Sequence, residues 1–240
     1  QLAEAHVSLA ISLMLNEWDW AGAEREFKMG LKLNPKYATG HHWYAELLLF
    51  RGRIKDAFKE ISTAVELDPV SQGILKDKGI FQYYVKQYDE AIKTALTTLE
   101  LDPGFVPVHR LLSLIYTGKG MYEDAIRENK RWGELTGNKV KTDVALAHIL
   151  ATAGQKDQAR KIIEDTGVEN MLSSNDYRGV ALVYTALEEK ETAFEWLEKS
   201  YQRHEESLCS IGIDPKFDFI RNEPQFRQLV KKIGVLEPGN

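Results

Sequence analysis

The stretch YDEAIKTALTTLELDPGF, residues 88–105, decides the fold, because its landmark residues recur along the chain at a constant interval. Its proline belongs to a series that advances in steps of 34 residues: Pro35, Pro69 and Pro103. Its first alanine belongs to a longer series with the same step: Ala23, Ala57, Ala91, Ala125, Ala159 and Ala193. A third series with this step holds only small residues: Ala45, Gly79, Ser113, Ala147 and Ala181. Three series in phase predict an internal structural repeat of 34 residues.

Each repeat carries the pattern of two helices. In VPVHRLLSLIYTGKG (106–120) and MYEDAIRENKRWGEL (121–135), apolar residues recur at the spacing of one helix face. Glycines mark the break between the two helices at one phase of the repeat: Gly52, Gly120 and Gly154. We expect the two series of small residues on facing helices, where a larger side chain would overpack the pair at a cost of roughly 1–3 kcal/mol.

These features together resemble the tetratricopeptide repeat. The resemblance rests on the period, the small-residue positions, Tyr88 and Tyr122 of the motifs YDEAI and YEDAI, and the ending LELDP at 99–103. It implies an all-α, right-handed α-solenoid of about six helix pairs, closed by a C-terminal capping helix. Residues 1–207 would form the array and 208–240 a loop and the cap. The repeats would span 4–37, 38–71, 72–105, 106–139, 140–173 and 174–207.

The composition is that of an ordinary globular chain, with 240 residues, 43% hydrophobic and 28% charged, and a net charge of −5. The charges do not gather into a basic face, which argues against direct binding of nucleic acid. No apolar run approaches the roughly 18 residues that a membrane span needs. Because Cys209 is the single cysteine, an internal disulfide and a cysteine-based zinc site are both excluded.

The sequence shows no constellation of catalytic, cofactor-binding or metal-binding residues. His41 and His42 are adjacent, so on a helix they point about 100° apart and cannot chelate one metal ion well. HEESL at 204–208 begins like a zinc-protease helix, but Leu208 stands where the second histidine is required. No nucleophile, base and orienting group occur together. The sequence therefore predicts a chain that is not an enzyme and holds no cofactor and no metal ion.

The resemblance implies that the first helix of each repeat lines a concave groove, which holds a protein or peptide partner. The family's geometry assigns nine positions to the groove: His42, Glu46, Lys76, Ile80, Tyr83, Arg110, Leu114, Thr117 and His148. Lys76 and Arg110 supply positive charge, so we expect a peptide with an acidic residue near them. The groove does not resemble the clamp that grips chaperone C-termini, because Glu46, Ile80 and Leu114 stand where Asn or Arg is expected. The alternative that the nine side chains are merely solvated stays open.

Two other functions also stay open. A small metabolite could occupy the groove and control an attached output domain, which would make the chain a sensor. Copies of the chain could also associate through the exposed N-terminal face of the first repeat and form a homo-oligomer.

The stretch IDPKFDFIRNEPQFRQLVKKIG, residues 213–234, breaks the phase, because the repeat requires a proline at position 205 and the chain has Pro215. It predicts a loop and a short helix with Asn222 as its N-terminal cap and Gly234 as its end. We expect the apolar stripe of this helix to cover the end of the last repeat. The stripe consists of Phe226, Leu229, Val230 and Ile233.

This tail also resembles the C-terminal repeat region of large bacterial signalling proteins, together with AFEWLEKSYQ at 193–202 and DWAGAEREFKMGLKLNPKYATGHHWYA at 19–45. Those families carry a winged-helix DNA-binding domain, a serine/threonine kinase domain or a nucleotide cyclase domain upstream. The resemblance implies a regulatory or scaffold module, and the start at Gln1 is expected for a fragment of a longer protein. The sequence leaves open whether this soluble bacterial domain is cytoplasmic or extracytoplasmic.

Overall fold

The structure, a computed structural model, describes residues 2–235. These residues form α-helices joined by short turns and contain no β-strand, which confirms the predicted all-α fold. In chain order the helices are α1 (Leu2–Ser12), α2 (Trp20–Leu33), α3 (Ala38–Phe50), α4 (Ile54–Leu67), α5 (Gln72–Tyr84), α6 (Tyr88–Leu101), α7 (Pro107–Lys119), α8 (Tyr122–Thr136), α9 (Lys139–Thr152), α10 (Lys156–Thr166), α11 (Val168–Ser173), α12 (Tyr177–Ala186), α13 (Lys190–Gln202) and α14 (Pro224–Ile233). A π-helical turn at Leu13–Glu17 follows α1, and 3-10 turns at Glu206–Ser210 and Pro215–Phe217 precede α14. Between residues 2 and 235, no helix has both the length and the hydrophobicity needed to cross a membrane.

The helices pack side by side in pairs. The pairs are α1 with α2, α3 with α4, α5 with α6, α7 with α8, α9 with α10, and α12 with α13. Small residues lie where the helices of a pair meet, as the Ser113 hydroxyl shows by donating a hydrogen bond of 2.9 Å to the main-chain oxygen of Ala125. A Cβ atom at Gly79 would lie 2.9 Å from Leu111 Cδ2 on α7, so a larger residue here would require the Leu111 side chain to shift. The chain is therefore a solenoid of helix pairs, whereas its division into repeats at the boundaries given above stays a prediction.

Each turn that joins the two helices of a pair contains one residue in the left-handed backbone conformation, with positive φ. It recurs every 34 residues, with φ between 53° and 81°, at Trp18, Gly52, Lys86, Gly120, Gly154 and Glu188. Glycine adopts this conformation freely, whereas any other L-residue pays roughly 1–2 kcal/mol for it. The glycine phase seen in the sequence thus reflects a backbone requirement, and the chain meets it with strain at three of the six turns.

The C-terminal segment, residues 206–235, runs back to the first helix pair. The Trp20 indole nitrogen donates a hydrogen bond of 2.7 Å to the main-chain oxygen of Ile233. The Cys209 sulfur lies 3.8 Å from the main-chain oxygen of Met14. All four residues of the predicted apolar stripe on α14 are buried. The segment therefore packs as part of the core and joins the beginning of the array.

The two ends of the array also meet directly, because Trp18 stacks on Tyr201 and His204 at ring separations of 5.5 and 4.0 Å. The expectation that Asn222 caps the last helix is wrong. α14 begins at Pro224, and the residue before it makes no side-chain cap. Proline lacks an N–H, so the helix start has one donor fewer to satisfy. Gly234 ends α14 with φ of 81°, as the sequence predicted.

Candidate partner-binding cavity

Two cavities lie between the first helices of the pairs and the C-terminal segment. The first has a volume of about 460 Å³ and lies among α5, α7, α9 and α12; the second has about 470 Å³. Six of the nine predicted groove residues line the first cavity: Lys76, Ile80, Arg110, Leu114, Thr117 and His148. Tyr83 lines the second cavity. The C-terminal segment contributes Lys216 to the lining of both cavities.

The repeat aligns positive side chains along the first cavity. Lys76, Arg110 and Arg178 stand at one phase of the 34-residue period, and all three line the cavity. The guanidinium carbon of Arg110 lies 5.0 Å from the centre of the Trp132 ring, and the Arg110 residue is exposed. The attraction between the guanidinium and the face of the aromatic ring holds the Arg110 side chain in place. The cavity thus presents a row of cations along apolar walls.

A buried ion cluster forms the wall on the side of the C-terminal segment. Asp214 is fully buried, pairs with Arg178 and lies 3.5 Å from Lys216 Nζ. Burial alone raises the pKa of the Asp214 carboxyl, but Lys216 and Arg178 outweigh that effect and lower it. Asp214 is therefore ionised, and two cations share its single charge.

The excess of positive charge also acts on the titrating groups of the cavity. The pKa of Lys216 is lowered to about 8, chiefly by burial, with Arg178 and Arg110 adding to the effect and Asp214 opposing it. Burial, together with Lys216, lowers the pKa of His148 to about 3, so this imidazole is neutral at pH 7. The region beside Lys216 thus favours an anionic group.

Four of the predicted groove residues have less free surface than the sequence implied. Tyr83 is only 1% exposed and packs in the core. The Thr117 hydroxyl donates a hydrogen bond of 2.7 Å to the Ser113 main-chain oxygen. His42 and Glu46 lie outside both cavity linings, in a separate cluster with Asp77. The geometry of the family that the sequence resembles assigned these residues to the groove but could not show what covers them.

Sequence reasoning missed Arg178, Lys216 and Asp214. Arg178 could have been found by extending the step that connects Lys76 and Arg110. Lys216 and Asp214 lie beyond the phase break, where no repeat predicts a neighbour. Their place in the cavity depends on the path of the C-terminal segment.

Comparison with solved structures relates this architecture to known proteins. PilW, a widely conserved type IV pilus biogenesis factor, superimposes with a TM-score of 0.64 over 96% of this chain and 99% of its own, at 17% identity. A tetratricopeptide repeat protein from Parabacteroides merdae superimposes with a TM-score of 0.58 over 97% of this chain and 92% of its own, at 15% identity. The chain has the tetratricopeptide-repeat fold. PilF of Pseudomonas aeruginosa gives a TM-score of 0.60 over 96% of this chain and 97% of its own, at 17% identity. At these identities the likeness concerns the fold alone.

Sequence comparison reaches a smaller part of the chain. The Hsp70-Hsp90 organizing protein 2 of Arabidopsis thaliana is 30% identical over 87 residues, which cover 36% of this chain. The Hsp70-Hsp90 organizing protein of Triticum aestivum is 26% identical over 90 residues. The matched region spans only 15% and 16% of the length of these two relatives. No protein-family model matches the chain.

Proposed function

We propose that this chain is a non-catalytic scaffold module that binds a protein or peptide partner in the first cavity. One observation carries the proposal: the cavity of about 460 Å³ has apolar walls and a row formed by Lys76, Arg110 and Arg178. An acidic side chain or a C-terminal carboxylate beside apolar residues matches this lining in charge and polarity. Trp132, which lines the cavity beneath Arg110, offers an aromatic contact of the kind that anchors interfaces.

The lining of the first cavity indicates the chemistry of the partner and does not name the partner itself. The organizing proteins carry Hsp70 and Hsp90 in their names, but only a short region of each resembles this chain. At the positions where a chaperone clamp requires Asn or Arg, this chain has Glu46, Ile80 and Leu114. We therefore propose an acidic peptide of another kind.

We further propose that the module is the regulatory C-terminal part of a larger bacterial signalling protein. The support is the sequence of the tail and of the first repeat. Self-association through the N-terminal face remains part of this proposal, because the face carries exposed Leu2 and Leu9. The comparisons do not favour the small-molecule sensor.

A panned peptide library tests the partner proposal. Random peptides displayed on phage are panned against the full chain, and the recovered peptides are titrated against wild type, Arg110→Glu and Lys130→Glu. Lys130 is the matched control, because its exposed side chain lies on α8 and outside the cavity. We expect peptides that pair Asp or Glu with apolar residues, with affinity at least about tenfold weaker for Arg110→Glu and unchanged for Lys130→Glu. Equal affinity for all three proteins would contradict binding in this cavity.

A further inference from the structure

Three metal-ligating side chains meet between the second and third helix pairs. His42 and Glu46 lie four residues apart on α3, so they project from one face of that helix. Asp77 on α5 completes the group, and one ligand atom of each residue lies within 4.8 Å of the other two. His42 Nε2 and Asp77 Oδ2 are 2.8 Å apart. His42 and Asp77 are 8% and 7% exposed, so the cluster is largely shielded from water.

The cluster has more negative than positive charge. Lys76 Nζ lies 2.7 Å from Asp77 Oδ1 and compensates that carboxylate. Among residues 2–235, no group donates a hydrogen bond to the Glu46 carboxylate or forms an ion pair with it. Glu46 is half-buried between two buried ligands and has no counter-charge of its own, so the cluster favours an added cation.

We propose that His42, Glu46 and Asp77 bind a divalent transition-metal ion of the Zn²⁺ class. One imidazole nitrogen and two carboxylate oxygens form a ligand set that suits Zn²⁺. Ca²⁺ requires 6–8 oxygen ligands, and Mg²⁺ keeps most of its water, so neither matches one histidine and two acids. The site is separate from both cavities, because none of its three ligands lines them; Lys76, which pairs with Asp77, also lines the first cavity.

The distances allow this ion with a small adjustment. Zn²⁺ lies about 2.0–2.2 Å from each ligand atom in a tetrahedron, which sets ligand atoms about 3.3–3.5 Å apart. The separation of 2.8 Å between His42 and Asp77 therefore opens slightly, and the Glu46 carboxylate closes in. Lys76 stays on Asp77 Oδ1, the oxygen that does not face His42. The bound ion would connect α3 to α5 and so hold two successive repeats together.

Calorimetric titration of the metal-free chain with ZnCl₂ tests the proposal. We expect one Zn²⁺ per chain and an affinity that falls at least about tenfold in Glu46→Gln, which keeps the size of the side chain and removes its charge. The thermal midpoint of the wild type should also rise with Zn²⁺, because the ion binds the folded chain preferentially. His42→Gln serves as the second variant, with circular dichroism to show that each variant is folded.

The chain offers a matched control in His41 and Glu60. His41 Nδ1 lies 2.6 Å from Glu60 Oε2. Among the described residues, no third metal-ligating side chain lies close enough to join these two. Glu60→Gln should therefore leave Zn²⁺ affinity unchanged. Absence of stoichiometric binding, equal affinity in wild type and Glu46→Gln, or an equal loss in Glu60→Gln would each overturn the assignment. Tighter binding of Ca²⁺ or Mg²⁺ than of Zn²⁺ would overturn the choice of metal.

Discussion

The indole N–H of Trp20 donates a hydrogen bond to the main-chain oxygen of Ile233, 2.7 Å away and 213 residues later in the chain. Arg51 likewise donates to the main-chain oxygen of Gly234. These bonds tie the end of α14 to the first two helix pairs. A solenoid is normally stabilised by contacts between successive repeats. Here the C-terminal segment adds contacts between the two ends of the array.

Deletion of residues 213–240 should therefore destabilise the whole array. The truncation uncovers apolar surface that Phe217, Phe226 and Ile233 bury, and each such side chain contributes about 1.5–3 kcal/mol. We expect the thermal midpoint to fall by about 10 °C or more, or the chain to associate, as measured by calorimetry and light scattering. A truncated chain that stays monomeric and equally stable would contradict the role of the segment.

The left-handed turn residues predict opposite effects for two matched substitutions. Glu188→Gly should raise the free energy of unfolding by about 1 kcal/mol, because glycine removes the backbone strain at this turn. The ion pair between Glu188 and Lys156, at 3.1 Å, is partly exposed and contributes about 1 kcal/mol or less. Gly154→Ala, at the same phase of the preceding repeat, should lower stability by a similar amount. Urea unfolding measures both, and changes of the same sign would show that the turns are not equivalent.

Substitution of Asp214 should lower stability far more than substitution of a partly exposed acid in the same segment. Asp214→Asn leaves Arg178 and Lys216 buried without their counter-charge, which costs about 3–5 kcal/mol. Glu223→Gln breaks a partly exposed pair with Lys190, at 2.5 Å, and should cost no more than about 1 kcal/mol. Urea unfolding at pH 7 compares the two variants. Similar losses would mean that Asp214 does not organise the cluster.

The lowered pKa of His148 predicts how the stability of the chain depends on pH. Its pKa is about 3 in the fold, whereas a histidine in an unfolded chain titrates near 6.5. The unfolded chain therefore binds the proton more readily, so stability is complete above about pH 6.5 and falls as the pH drops toward 3. Between pH 7 and 5, His148→Gln should reduce this fall by about 1–2 kcal/mol. An NMR titration of the His148 ring with a midpoint near the ordinary value would contradict this prediction.

The sequence predicted those features that depend on local and periodic patterns. The alanine and small-residue series predicted paired helices, and the contact between Ser113 and Ala125 lies where two such series face each other. The glycine phase marked the turns, although Lys86 and Glu188 occupy the same left-handed conformation without being glycine. Where the fold forces a residue other than glycine into the left-handed region, the sequence gives no sign of that conformation.

The candidate sites depend on contacts that no period reveals. Lys216 enters the cavity because the C-terminal segment turns back along the array, and this path follows from burial of apolar residues over a long separation in sequence. The sequence places His42 and Glu46, two of the three proposed metal ligands, one helical turn apart. Asp77 joins them only because α3 and α5 are neighbours in space, so the sequence alone predicted no metal site.

Hydrogen–deuterium exchange with and without a panned peptide tests most directly whether a partner binds in the first cavity. Binding there should slow exchange in α7, in α9 and around Lys216, because these elements line the cavity. Exchange in α4 and α6, which lie outside it, should not change. Protection confined to α4, α6 or the ends of the array, or no protection at saturating peptide, would contradict the proposal that the concave cavity is the binding site.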